Sequence, residues 1–276
     1  MTNGHQRDLF DVDGRVMVVT GGFGQLGRQF CRALARRGAR VAALDRIAHG
    51  GDAGHADIFG GESDRILPLH ADVTDRDSLE AAMAIVQTRL GVPHGLVNAA
   101  AVDSPPDAPA SENGPFECYP ETSWDEVMDV NVKGTMLCCQ TFGGQMAAAG
   151  RGSIVNVSSI YGVVSPDQRL YEYRRADRSA FFKPIAYSAS KSAVLNMTRY
   201  LATYWARKHV RVNTVTFGGV FNDQDPRFVD EYSARVPLGR MAREDEYNGA
   251  IVFLLSDASS YMTGSNLVVD GGWTAW

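Results

Sequence analysis

The sequence is short of the features that tie a chain to a membrane, a metal or a nucleic acid. It holds no run of about 18 apolar residues that would span a bilayer. Its first residues, MTNGHQRDLFDVDG, are polar and carry no apolar signal core. Basic residues are not in excess: 27 Lys and Arg stand against 32 Asp and Glu, for a net charge of −5. Nothing therefore points to nucleic acid or an anionic membrane surface. Cysteine is scarce. Cys31, Cys118, Cys138 and Cys139 show no C-x-x-C spacing and no paired His ligands, so they read as buried reduced thiols in a reducing cytosol. No metal-ligand set is evident, and neither linker-like composition nor an internal repeat divides the 276 residues. These absences predict a soluble cytoplasmic protein with no metal, no nucleic-acid partner and no membrane.

What is present is alternation. Residues 15–20 (RVMVVT) form a short β-branched apolar run that suits a buried parallel strand. Glycines follow, and then QLGRQFCRALARRG reads as a helix with Leu26, Phe30, Cys31 and Leu34 as its buried stripe and Gly38 as its C-cap. Residues 41–45 (VAALD) are a second strand. The pattern repeats with strands at 66–70, 95–99, 153–157, 210–216 and 266–269. Helices are predicted at 75–90, at 121–149 with a break near 131–134, at 186–208 and at 244–255. Such alternation predicts one α/β domain over residues 1–276, a doubly wound parallel sheet of the Rossmann type with helices on both faces. Ligands of such sheets sit beyond the carboxyl ends of the strands. The loops at 103–120 and 162–185 follow such ends and are expected to border the site, while the loop at 46–64 reads as a mobile surface segment.

The first strand meets its helix through Thr20-Gly21-Gly22-Phe23-Gly24-Gln25-Leu26-Gly27. Glycines let a backbone turn tightly and approach a pyrophosphate, and the helix N-terminus supplies N–H donors. Asp45 ends the second strand, where an acid can bind ribose hydroxyls and repel a 2′-phosphate, favouring NAD over NADP. The adjacent Arg46 could instead hold a 2′-phosphate, and Asp45 could simply cap the strand.

Tyr187-Ser188-Ala189-Ser190-Lys191 places a phenol and an ammonium four residues apart in a helical segment, hence on one face. A free tyrosine titrates near ~10 and is a poor base at neutral pH, whereas a nearby ammonium favours phenolate. Alone, the pattern is also that of an ordinary surface pair.

In combination these residues resemble the short-chain dehydrogenase/reductase family, in its shorter single-domain branch. The resemblance runs from about Leu9 to Trp273 and its pieces fall in the family's order. They are the Gly turn, Asp72-Val73, Asn98-Ala99-Ala100-Ala101, Asn131-Val132-Lys133-Gly134, the strand ending at Ser158-Ser159, Tyr187-x-x-x-Lys191, Arg211-Val212-Asn213 and Val269-Asp270-Gly271-Gly272. The resemblance implies a reversible alcohol/ketone oxidoreductase using NAD(P). Ser159, chosen over Ser158 because Gly162 lies three residues on, would hold the substrate oxygen. Tyr187 would be the general acid/base, Lys191 would bind ribose and lower the Tyr187 pKa, and Asn131 would hold a relay water. Gly21, Phe23, Gly24, Gln25, Leu26, Gly27, Asp45 and Arg46 would contact the dinucleotide. Asp72 and Val73 would meet adenine, Asn98 with Ala99 and Ala100 the adenosine ribose, and the Val220 backbone the carboxamide. Asn131 could otherwise mark a helix break, and Asp72 could cap the helix beginning at Asp75. The family also implies a homotetramer or homodimer, with Val194, Met197, Leu201 and Trp205 as the apolar face; an amphipathic helix packed in its own core would look the same from sequence.

Departures bear on the cofactor contacts. Gln25 stands where the short branch usually has glycine, and the resulting T-G-x-x-G-x-x-G spacing is shared with nucleotide-sugar epimerases and dehydratases. Ala99 and Ala101 depart from the usual N-N-A-G, Phe217-Gly218 replaces P-G, and Asn222 replaces a common threonine. From Ser159 to Tyr187 is 28 residues, longer than in most relatives. The extra chain at 163–185 carries Tyr171, Tyr173, Phe181, Phe182 and the cations Arg169, Arg174, Arg175, Arg178 and Lys183, against Asp167, Glu172 and Asp177. It reads either as a substrate-side wall that stacks a ring and holds an anionic or sugar-like group, or as a flap packed on its own or a neighbouring subunit. Residues 223–241 are expected to form a lid. A dinucleotide-binding sensor without chemistry is the rival from another class. Tyr187→Phe is expected to abolish turnover while NAD binding, followed by fluorescence titration, survives; undiminished activity contradicts the assigned role.

Overall fold

Alternation within each strand sorts the core into two layers, because successive strand side chains point to opposite faces. The computed structural model describes residues 8–47, 58–103, 110–176 and 181–276. In β1 (Val16–Thr20), Val16 and Val18 face one layer and Met17 and Val19 the other. The same division holds in β4 (Gly95–Asn98), with Leu96 against Val97, and in β5 (Gly152–Ser159), with Ile154 against Val155. Together with β2 (Arg40–Asp45), β3 (Ile66–His70), β6 (Val210–Phe217) and β7 (Asn266–Val269) they form one sheet in the order β3-β2-β1-β4-β5-β6-β7. Every neighbouring pair is parallel. The direction of strand progression reverses between β1 and β4, and a crevice opens there at the carboxyl ends.

Helices cover both faces. On one, α1 (Gln25–Arg36) and α6 (Asn248–Leu255) contribute Phe30, Leu34, Ile251 and Leu254. On the other lie α2 (Arg76–Arg89), α3 (residues 121–148) and α4 (Ile185–Trp205), with Leu79, Val86, Phe142, Met146 and Trp205 in the core. The α1 stripe is as expected, with Phe30, Cys31 and Leu34 fully buried, and Gly38 terminates the turn at φ 84°. The break expected in α3 is a wide i→i+5 stretch at Asp129–Gly134, and a second occupies Cys139–Gly143. Helix α6 begins later than expected, because Glu244 is held outside it by Arg28 and Gln29.

A third apolar cluster covers the carboxyl ends of the strands. It joins the insert to α5 (Pro226–Ser233), within the expected lid. Tyr171 lies 4.6 Å from Phe181 and 5.5 Å from Phe228, centroid to centroid. Asp167 receives Arg235 from the α5 side at 2.9 Å. The insert is therefore packed on its own chain. Asp177 and Arg178 lie outside the described residues, as do residues 48–57 of the first loop and 104–109 of the second.

One reading is corrected, and of two left open one is favoured. Cys118 is exposed, since it sits in a short surface turn and not in a helix facing the sheet; the other three cysteines are buried. Of the α4 face assigned to subunit contact, Val194 and Trp205 are buried in the chain's own core, and the helix leaves Tyr200 and Tyr204 exposed instead. No described helix is long and apolar enough to cross a membrane.

The β1–α1 turn is closely packed, backbone against backbone. A Cβ on Gly27 would lie 1.9 Å from the Gly21 carbonyl oxygen, and one on Gly21, at φ 65°, would lie 2.8 Å from the Ala100 Cα. Because the obstacle is backbone, Gly27→Ala must open the turn. It is expected to weaken NADH binding at least about tenfold, equivalent to ~1.4 kcal/mol, in a fluorescence titration. Unchanged affinity contradicts the assignment of this turn.

Candidate active site

The crevice holds two cavities, one on each side of the β1–α1 turn. The first, about 460 Å³, is lined by Gly21, Phe23, Asp45, Arg46, Asp72 and Val73 among others. Thr20 fixes the base of the turn, its hydroxyl accepting from the Ala99 and Ala100 N–H groups at 3.1 Å each. Helix α1 starts after Gly24 with no side chain capping it, so its first N–H groups face the turn unshielded. Asp45 accepts from the Phe23 N–H at 3.1 Å and from the Ile47 N–H at 3.1 Å, which holds its carboxylate at the end of β2. The bare glycine backbone, with an acid at the far end, is a cradle that fits a dinucleotide.

Asp72 also lines this cavity, and it does not cap α2. That part is played by Asp75, which accepts from the Asp77 N–H. Asp72 accepts from the Thr74 N–H and hydroxyl, and these bonds lower its pKa. Asn98 departs from expectation. Its side chain turns into the interior, donating to Asn156 at 2.8 Å and to the Cys139 sulfur. What β4 presents to the cavity is Ala99, Ala100 and Ala101.

The second cavity, about 350 Å³, gathers the predicted chemistry. Helix α4 brings Tyr187 and Lys191 to one face, and β5 ends at Ser159 opposite them. Ser159 lines the cavity beside Tyr187, and its hydroxyl accepts from the Tyr161 N–H at 3.2 Å. Ser158 instead donates to the Lys191 carbonyl at 2.9 Å. Gly162 allows that approach, since a Cβ there would lie 2.5 Å from the Ser158 Oγ. Gln25 and Leu26 reach this cavity rather than the first, and the Gln25 amide spans to the Phe221 carbonyl at 2.8 Å. Val220 lines the same wall, its carbonyl accepting from the Gln224 amide.

Lys191 is buried and donates to the Val157 carbonyl at 3.0 Å. Its nitrogen lies 5.7 Å from the Tyr187 ring centroid. Burial pushes the Lys191 ammonium down to about 8, against the pull of Asp103. Burial likewise raises the Tyr187 phenol well above its ordinary value; Asp103 adds to this, and the Ser159 hydroxyl opposes it. The net direction for the phenol is therefore upward, opposite to the lowering expected from its lysine alone. That expectation counted the opposite charge and omitted burial, which sets the direction for both groups.

Asn131 lies in the wide turn of α3, nearly fully buried. Its Oδ1 accepts from the Val102 N–H at 2.8 Å, and its Nδ2 donates to the Val102 carbonyl and the Ser190 hydroxyl, each at 3.0 Å. It thus ties the chain leaving β4 to α4 beside Lys191.

Of the other lining residues, Asp103 lies in the loop expected to border the site and Gln224, Phe228, Tyr232 and Met241 lie in the expected lid, though none was singled out; Tyr161 escaped the sequence reading altogether. Lys183 appeared only as one cation of the insert. A signal existed for it, because Tyr187 has a lysine four residues away on each side. A larger cavity of about 950 Å³, at the opposite ends of the strands beside His94 and Arg211, contains none of the Ser/Tyr/Lys set.

A family model described as enoyl-(acyl carrier protein) reductase matches residues 24–274. The chain is 35% identical to a D-threitol dehydrogenase of Mycolicibacterium smegmatis, covering 96% of this chain and 95% of that protein. It is 34% identical to a galactitol 2-dehydrogenase (L-tagatose-forming) of Cereibacter sphaeroides, covering 98% and 99%. Among solved structures, it resembles a gluconate 5-dehydrogenase from Burkholderia cenocepacia in complex with NADP and tartrate, with a TM-score of 0.82, 27% identity and 98% of each chain covered.

Proposed function

The chain belongs to the short-chain dehydrogenase/reductase family and is an NAD(P)-dependent dehydrogenase of CH–OH groups; we propose that it oxidises a secondary hydroxyl of a polyol or sugar-like alcohol to a ketone, with NAD preferred. The observation that carries this reading is the convergence of Ser159, Tyr187 and Lys191 on one cavity beside the glycine cradle. Polar groups on the facing wall, Asp103, Lys183 and Gln224, suit a hydroxylated substrate better than an acyl chain. The threitol, galactitol and gluconate dehydrogenases similar to this chain support the same class.

In this mechanism the glycine turn at Gly21–Gly27, Asp45 and Lys191 would hold NAD(P), which would supply the hydride acceptor. The Ser159 hydroxyl fixes the substrate oxygen at hydrogen-bonding distance from Tyr187. Tyr187 takes the hydroxyl proton as the carbinol C–H bond breaks, and returns it in the reverse direction. The Lys191 ammonium stabilises the phenolate that accepts this proton. Asn131 keeps α4 in place through Ser190 and holds a relay water. At the far end, the Asp45 carboxylate would accept from ribose hydroxyls, and its charge would repel a 2′-phosphate that Arg46 alone would welcome. A sensor without turnover and an epimerase that recycles its cofactor are the alternatives.

One assay separates them. Purified protein is given NAD or NADP with a panel of polyols, sugar acids and simple secondary alcohols, and reduced cofactor is followed. Net NADH formation with polyols is expected, with kcat/KM favouring NAD by about tenfold or more. Binding of NADH without turnover of any alcohol, or epimerised product without net NADH, contradicts the reading.

A further inference from the structure

Lysines at positions 183 and 191 flank Tyr187 at equal spacing, but they meet different partners. Lys191 points to the Val157 carbonyl behind the site. Lys183 lies on the open side, its ammonium 4.9 Å from the Tyr187 ring centroid. It donates to both oxygens of Asp103, at 2.6 and 2.5 Å. Its side chain is 9% exposed while that of Asp103 is 43% exposed, so the carboxylate forms the accessible rim of the pair.

The pair is built rather than incidental. The Lys183 N–H donates to the Gln168 side chain at 2.8 Å, and the Lys183 carbonyl accepts from it at 3.2 Å. The insert thereby clamps the backbone immediately before α4. Asp103 comes from the other side, off the end of β4, just past the Val102 that Asn131 holds. Two elements distant in sequence are thus pinned so that opposite charges meet over the reacting phenol. Asp103 lines the same cavity as Tyr161, Tyr171, Tyr187 and Lys191.

We propose that Asp103 and Lys183 are a substrate-binding pair that reads the hydroxyl next to the carbon being oxidised. This rests on the alcohol-dehydrogenase reading above and narrows it to 1,2-diols. Two ammonium hydrogens engage Asp103, leaving a third to donate to a substrate oxygen. The carboxylate keeps lone pairs that accept the hydroxyl proton of that same group or the next. A hydroxyl is both donor and acceptor, so it satisfies both partners. A substrate lacking it leaves them without that bond, and a carboxylate there meets the charge of Asp103. The pair therefore favours neutral vicinal polyols over mono-alcohols and over 2-hydroxy acids.

The test uses binding, so that it is independent of turnover. Calorimetry on the protein with NADH compares 2,3-butanediol, 2-butanol and lactate in wild type, Lys183→Met, Lys183→Arg and Asp103→Asn. Wild type is expected to bind the diol at least about tenfold more tightly than 2-butanol. Lys183→Met is expected to erase that ratio, and Lys183→Arg, which keeps the charge, to restore most of it. Asp103→Asn is expected to raise the affinity for lactate relative to the diol by about tenfold, because the ammonium is no longer neutralised. Equal ratios in all four proteins, or a wild type that binds diol and mono-alcohol alike or binds neither, overturn the proposal. Pair-dependent binding without oxidation of any alcohol leaves it standing and strikes the proposed reaction instead. Oxidation with pair-independent binding does the reverse.

Discussion

A buried ammonium has to be given partners or lose its proton, and the site is organised around that requirement at Lys191. One partner is the carbonyl of Val157, two residues before β5 ends. That carbonyl is available because β5 carries on to Ser159 alongside β6 while α4 packs across it. The same helix turn that buries Lys191 carries Tyr187, and the strand that satisfies the lysine ends on Ser159. The three groups are therefore positioned by one packing contact, α4 against the end of β5. Ser158 fastens this contact at the Lys191 backbone, and Asn131 fastens it from α3 through Ser190.

The sheet divides the remaining work. At the reversal of strand progression, glycine backbone and Asp45 make a surface shaped for a dinucleotide, with the chemistry set one strand further along. The insert and α5 then wall the second cavity with aromatic rings, and Asp167 joins them through Arg235. Two readings of the insert were open from the sequence, an own-chain flap and a substrate-side wall. The two are compatible: the insert packs on its own chain through Phe228 and Arg235, while its Tyr171 and Lys183 line the cavity.

The legible features were local ones. Apolar strands of a parallel sheet are buried on both faces and read as continuous runs, and the glycine turn announces itself by composition. The Tyr187–Lys191 spacing is a property of a single helix. Features that depend on distant chain were hidden. Asn98 turns inward because Asn156 and Cys139 await it there, and neither is near it in sequence. The second wide turn of α3 reflects Gly143 lying against Trp205 and Ile154, where a Cβ would come within 2.8–2.9 Å. Asp103 and Lys183 are 80 residues apart, and no periodicity links them. The net direction of the tyrosine shift was hidden for a related reason: charge can be counted along a sequence, whereas burial is a property of the fold.

The central claim is that Tyr187 and Lys191 work as one coupled proton-transfer unit. Burial raises the phenol and pushes the ammonium down to about 8, so the first proton leaves the pair near that value. The deprotonated pair includes the phenolate–ammonium form, which is the base for alcohol oxidation. The most direct measurement is the pH dependence of kcat/KM for oxidation in the wild type and in Lys191→Met. The account predicts a wild-type rate that rises about tenfold per pH unit and levels off above about 8, with the rise displaced to higher pH when the ammonium is removed. A wild-type profile flat from about pH 6 to about pH 10, or one unchanged by Lys191→Met, contradicts it.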